Sequence, residues 1–207
     1  MQIYDEVYGK WIELSESAAA IYNTPHFQRL AKIKQLTPLH KYYAKAQHTR
    51  MDHCIGVAHA AKQLYQHLLT TSSSLPAKHR AVAKRYEICV EIAGLCHDLG
   101  HGPFSHIFER ILKASSSSSI NDDECSGAKH HEFNHEQCSV QLLKDVVESD
   151  ANNVRTILQR EAAIGPEQLE LVYCMILGER DQYFVIRNKI YKNQKKIVGK
   201  FLIKNYG

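Results

Sequence analysis

The sequence has 207 residues, 44% of them hydrophobic, with 26 Lys and Arg against 22 Asp and Glu for a formal net charge of +4. This length supports one compact domain over residues 1–207 with a substantial core, and the apolar share is that of an ordinary globular protein, which excludes a disordered or fibrous chain. No run approaches the ~18 apolar residues of a membrane span, and Met1-Gln2-Ile3-Tyr4-Asp5 lacks a secretory signal pattern. The expectation is an intracellular protein, cytoplasmic or nuclear, with no membrane partner.

In chain order, residues 2–14 set Ile3, Val7 and Ile12 among polar neighbours around Gly9, which predicts a short β-hairpin. Helices are predicted over 16–22 and 26–36. The next, over 51–70, has an apolar line through Val57, Ala60 or Ala61, Leu64 and Leu68 that extends back to His53, so His53 is expected to point inward. Residues 70–76 read as a loop. A helix over 79–99 carries the stripe Val82, Tyr86, Cys89, Ala93 and Cys96, widened by Ile88, Ile92, Leu95 and Leu99, with Arg80, Lys84, Glu87 and Glu91 on its wet face. Gly100, Gly102 and Pro103 then stop it, which leaves His97 and Asp98 in its last turn. Further helices are predicted over 103–113, 135–148, 151–160 and 166–178, with a weaker one within 182–204. The serine-rich stretch 114–124 reads as a solvated low-complexity loop. The six cysteines, at 54, 89, 96, 125, 138 and 174, form no CxxC pair and read as reduced thiols. The fold class these elements predict is all-α with a short N-terminal hairpin.

The chemistry concentrates in Ala93-Gly94-Leu95-Cys96-His97-Asp98-Leu99-Gly100-His101-Gly102-Pro103-Phe104-Ser105-His106. A buried carboxylate beside a buried imidazole needs a partner, because unpaired charge in the interior costs several kcal/mol or is neutralised. A divalent cation would serve, and so would a plain His–Asp hydrogen bond; an inward-pointing His53 favours the cation. Elsewhere, His130 and His131 read as loop histidines. The segment 183–207 carries Arg187, Lys189, Lys192, Lys195, Lys196, Lys200 and Lys204 with five interleaved aromatics. It reads first as a solvated helix face, and second as a site for triphosphate or single-stranded nucleic acid.

Around these residues lie Tyr4-Asp5-Glu6-Val7-Tyr8-Gly9-Lys10-Trp11-Ile12-Glu13-Leu14, Asn23-Thr24-Pro25-His26-Phe27-Gln28-Arg29-Leu30, Ile33-Lys34-Gln35-Leu36, His48-Thr49-Arg50-Met51-Asp52-His53 and His135-Glu136-Gln137. In this order, and over most of the chain, the motifs resemble the HD-domain phosphohydrolases. More narrowly, they resemble the dNTP triphosphohydrolase family that includes the animal SAM- and HD-domain protein. The resemblance implies an HD-domain helical bundle and a metal-dependent enzyme that cleaves a dNTP to deoxynucleoside and inorganic triphosphate. It places a divalent ion on His53, His97 and Asp98; mixed imidazole and carboxylate donors suit Mn, Fe or Mg better than a structural zinc, with Zn an option. It gives His101 a phosphate contact and makes His106 the acid for the departing 5′ oxygen. Glu109, one helical turn after His106, would orient that ring, and His135 matches another active-site histidine. Arg50 would bind phosphate through its planar fork, while Gln35 and Leu36 would line the sugar pocket.

Two departures modify what is carried over. The family's last metal-ligating aspartate lies in a segment after the stretch resembling 200–207, and no acidic residue follows Asp181. The expectation is therefore a C-terminally shortened chain whose ligand set lacks that member. In the Thr-Pro segment the family reads a guanine nucleotide with an aspartate and an arginine and assembles in response. Here Asn23 and Ala31 stand at those positions while Gln28 is kept, which argues against nucleotide-triggered assembly through an allosteric site at Asn23 and Gln28 and leaves a homo-oligomer open as a partner. Three functions stay open: the dNTP triphosphohydrolase; a catalytically weak or inactive HD module that binds nucleotide, nucleic acid or a full-length relative; and an HD phosphohydrolase for another phosphoester.

Overall fold

The computed structural model describes residues 1–71, 80–104, 106–117, 133–149 and 152–179. The expectations for residues 72–76, most of the serine-rich stretch, Cys125, His130, His131 and everything from 182 onward fall outside them. The chain opens with β1 (Gln2–Asp5) and β2 (Lys10–Glu13), paired antiparallel with Gln2 opposite Glu13 and Asp5 opposite Lys10. The buried Asp5 carboxylate closes the turn by accepting the Val7 and Tyr8 N–H groups at 2.8 and 2.9 Å. Among the described residues eight α-helices follow: α1 (Glu16–Tyr22), α2 (Pro25–Gln28), α3 (Arg50–Thr71), α4 (Arg80–Cys96), α5 (His106–Ser117), α6 (His135–Ser149), α7 (Val154–Ala162) and α8 (Pro166–Leu177). The fold is all-α with a two-stranded hairpin, and no helix among the described residues is long and apolar enough to cross a membrane.

Local signals explain most helix starts. Ser15 caps α1 by accepting the Ala18 N–H at 3.1 Å, and Thr24 caps α2, which has Pro25 in its first turn. The α1 N-terminus is also met by Glu161 of α7, whose carboxylate takes the N–H groups of Glu16 and Ser17 at 3.0 and 2.6 Å. The helix expected over 26–36 is not continuous. It is α2 followed by a 3-10 turn, Arg29–Lys32. Tertiary pairing then takes over: Lys34 bridges Thr49, the Gln35 N–H meets His48 O at 3.1 Å, and the Arg50 N–H meets Ile33 O at 2.8 Å. Both ends of α5 move as well. α5 begins at His106, after a turn in which Phe104 takes a left-handed φ of 65°, and its last turn consumes the first serines of the expected loop.

α4 is the axis of the core and packs against α3, α8, α1, α6 and α7. Ile88, Ile92, Leu95 and Leu99 are fully buried, as are Phe27, Leu30, Leu143, Leu158 and Ile164 from its neighbours. Being surrounded, α4 has no wet face at Glu87 and Glu91. Both are buried, against the expectation. Their partners come from α3: Gln66 Nε2 donates to Glu87 at 3.0 Å, and Lys62 Nζ lies 2.9 Å from Glu91. The buried face of α3 is correspondingly Met51, Cys54, Ile55 and Ala58. The line drawn through Val57 and Leu64 is not that face, since Leu64 is more than half exposed. The described cysteines, Cys54, Cys89, Cys96, Cys138 and Cys174, are free thiols.

Candidate metal centre

The centre begins with the way α3 starts. Thr49 and Asp52 form a reciprocal cap: the Thr49 N–H and hydroxyl reach Asp52 Oδ2 at 2.7 and 2.8 Å, and the Asp52 N–H reaches Thr49 Oγ1 at 3.2 Å. The cap fixes Arg50 and His53 in the first turn of α3. A Cβ on Gly94 would lie 3.0 Å from Ala58 Cα and 3.2 Å from Val57 O. The bare backbone at 94 is therefore what lets α3 and α4 approach, and it sets the His53 and His97 rings 5.1 Å apart, centre to centre.

α4 ends at Cys96, so His97 and Asp98 lie in the turn just beyond it and not in its last turn. There His97 Nδ1 sits 2.8 Å from Gly94 O, the last carbonyl within reach. A carbonyl only accepts, so Nδ1 carries the proton and the Nε2 lone pair faces His53 Nε2 at 3.2 Å. Asp98 is the hub. Its Oδ1 is 3.3 Å from His97 Nε2 and 3.5 Å from His101 Nε2; its Oδ2 is 3.4 Å from His53 Nε2 and accepts a hydrogen bond from Arg50. Burial pushes the Asp98 carboxyl up, but His97, Arg50, His101 and His53 together outweigh it and hold the group below its ordinary value. Burial lowers His53, more than Asp98 raises it, so the approach of His53 to Asp98 is a neutral imidazole beside a carboxylate and not an ion pair at neutral pH.

These donors fit a divalent cation. Two imidazole nitrogens, one with its lone pair fixed inward, and one ionised carboxylate place their ligand atoms within 4.8 Å of one another. The His97 lone pair, 3.2 Å from His53 Nε2, is matched either by a proton on His53 or by a cation between the two rings.

A second group adjoins the first. His101, fully buried, stacks on His135 with ring centres 4.0 Å apart, and His106 stands edge-on to both at 5.0 and 5.4 Å. Glu109 Oε2 is 3.0 Å from His135 Nδ1 and 3.9 Å from His106 Nδ1. The carboxylate expected beside His106 thus lies nearer His135. Burial first, and Arg50 second, push the His101 imidazole down to about 3.

The remaining predicted positions divide. Gln35 and Leu36 are held beside the start of α3 by the Lys34–Thr49 bridge, with Leu36 exposed. Arg50 is buried on Asp98. Asn23 and Gln28 spend their amides on local carbonyls, Asn23 Nδ2 donating to Ala19 O at 2.9 Å and Gln28 Nε2 to Tyr22 O at 2.8 Å. They lie away from both imidazole groups in the hydrogen-bond network.

Two supporting residues were not singled out from the sequence. Arg29 donates to His101 O at 2.9 Å and also to Leu99 O, clamping the turn that carries Asp98 and His101. Ser139, completely buried, accepts the Gly100 N–H at 2.7 Å and has both His97 O and His135 O at 2.8 Å. A Cβ on Gly100 would fall 2.3 Å from His135 O, so α6 rests directly on this turn. The available signal for Ser139 was a serine four residues after His135, beside the buried Val140 and Leu143.

Comparison with known proteins identifies the family. The HD domain profile matches residues 50–177, which contain every residue of both groups. The chain is 30% identical over 196 residues to deoxynucleoside triphosphate triphosphohydrolase SAMHD1 of Gallus gallus, covering 95% of this chain and 29% of that protein. Against the Homo sapiens protein of the same name the identity is 33% over 176 residues, 85% of this chain and 25% of that one. A SAMHD1 homolog of Dictyostelium discoideum is 30% identical over 186 residues, 86% of this chain and 33% of its own length. The chain thus spans about a quarter to a third of the length of these relatives.

Proposed function

The chain belongs to the HD domain family, in its SAMHD1-like branch, and on that footing we propose that it is a divalent-metal-dependent phosphohydrolase that takes a dNTP to deoxynucleoside and inorganic triphosphate. The observation that carries this is the facing pair of Nε2 atoms, 3.2 Å apart, over the buried Asp98 carboxylate. His53, His97 and Asp98 would hold the ion, with Mn, Fe or Mg matching the mixed donors. An ion held there would supply Lewis acidity to an α-phosphate oxygen.

The chain's own groups do the rest. Arg50 offers a guanidinium at the carboxylate hub, where a phosphate oxygen would meet it. His106, two-thirds exposed, can reach a substrate and pass a proton to the departing 5′ oxygen. Glu109 lies between His135, at 3.0 Å, and His106, at 3.9 Å, and would orient both rings. Gln35 and Leu36, at the start of α3, border the place where a sugar would lie.

Incubation with each of the four dNTPs and manganese, with and without GTP, followed by anion-exchange chromatography, tests this. Triphosphate should appear, and His97→Ala or Asp98→Ala should abolish it. Release of monophosphate or free phosphate alone would instead assign a different phosphoester. A binding-only role is favoured by one observation: Arg50 already occupies Asp98 Oδ2, and a guanidinium competes with a cation for that oxygen. Retained nucleotide binding with no turnover in manganese would establish that role.

A further inference from the structure

We propose that His101, His106 and His135 form a second divalent-cation site, selective for imidazole-loving ions such as Zn²⁺ or Co²⁺, whose occupancy withdraws His106 from proton transfer. One ring nitrogen from each of the three lies within 4.8 Å of the other two, and the three rings come from three elements: the turn after α4, the start of α5 and the start of α6. Their convergence is therefore tertiary and not a chance run in sequence.

The second observation is an orphan. His101 Nε2 is fully buried and has no hydrogen-bond partner, an arrangement that costs free energy unless something else meets that nitrogen. Its nearest carboxylate oxygen, Asp98 Oδ1 at 3.5 Å, makes no hydrogen bond to it. The third is a carboxylate behind the ligands. Glu109 holds His135 Nδ1 at 3.0 Å, which leaves Nε2 of that ring as the free donor, the arrangement by which carboxylates orient metal-binding histidines. The stack of His101 on His135 holds both rings side by side at 15°. An ion would enter at the edge of that stack, and the exposed His106 is the ring that turns to complete the set.

The donor set fixes the ion class. Three neutral imidazoles suit Zn²⁺, Co²⁺ or Ni²⁺ and suit Mg²⁺ poorly, whereas the first site, with its carboxylate, accepts the harder ions. The proposal rests on the phosphohydrolase reading for its inhibitory consequence only. A nitrogen whose lone pair is given to a cation carries no proton, so a loaded second site removes the acid.

The test is a count. The metal-free chain, without a histidine tag, is dialysed against Co²⁺ or Zn²⁺ with excess Mg²⁺ present or absent, and bound metal is measured per chain. Two equivalents are expected in the parent, one in His135→Ala and one in His53→Ala, with Mg²⁺ displacing only the ion that His135→Ala retains. One equivalent in the parent, lost in His53→Ala and kept in His135→Ala, overturns the second site and leaves the first standing. One equivalent with the opposite pattern upholds the second site and removes the first. His106→Ala guards against a folding artefact, because this ring is mostly exposed. It should weaken binding of the second ion at least tenfold with an unchanged circular dichroism spectrum, and unchanged affinity there would count against the site. In the parent, turnover with manganese should fall at least tenfold as Zn²⁺ fills the second equivalent; full turnover with both ions bound would refute the inhibitory role.

Discussion

The two imidazole groups lie side by side, but they are built differently. The His53–His97–Asp98 centre is fixed by backbone: a capped helix start, a glycine that lets α3 and α4 touch, and a ring nitrogen locked on Gly94 O. The His101–His106–His135 group is held by side chains: His101 stacks on His135 and Glu109 steadies two of its rings, while Arg29 and Ser139 brace the turn that both groups share. The exposed His106 keeps rotational freedom that His97 lacks. A cation site needs donors already in place, since reorganising them costs binding energy, whereas a proton donor must move with its substrate. The protein provides rigidity throughout the first, and in the second it holds His101 and His135 in a stack while leaving the exposed His106 adjustable.

Substitutions sharpen or break that contrast. The largest effect is expected at Asp98. Asp98→Ala leaves Arg50 buried without its anion, so stability should fall by about 3 kcal/mol in urea denaturation, with loss of metal binding and turnover. Gly100→Ala comes next: the new Cβ has no room against His135 O, and a loss of about 2 kcal/mol is expected in thermal melts. Were Gly100→Ala harmless, the close seating of α6 on the turn would not be structural. Ser139→Ala removes a buried hydroxyl that serves three backbone groups and should cost about 1–2 kcal/mol. Glu109→Gln should leave the melting curve nearly unchanged yet lower turnover by roughly tenfold, as loss of an orienting partner does. An equal loss in stability would show that Glu109 braces the fold and not the rings. Leu64→Ala, on the exposed side of α3, should stay within about 0.5 kcal/mol of the parent.

Much of this was readable from residues in order. The hairpin and α1 follow from local alternation and capping, whereas the line through Val57 and Leu64, expected to carry His53 inward, is not the buried face of α3. What was hidden depends on neighbours. Glu87 and Glu91 look like a wet face because a single helix does not reveal that Lys62 and Gln66 will cover it. The 26–36 helix breaks because Ile33 and Gln35 find backbone partners at His48 and Arg50. Gly100 looks like a helix stop, yet its tightest constraint is the start of α6, His135 O, lying against it from 35 residues away.

The bare backbone at position 100 also has a bearing on tolerance to change. Every amino acid other than glycine adds a Cβ, so the whole set of alternatives meets the same obstruction. In a saturation library selected only for soluble expression, that column should empty, whereas the His106 column should stay populated until hydrolysis itself is selected. Two libraries differing in nothing but the selection would thus separate the residues that shape this protein from those that work in it.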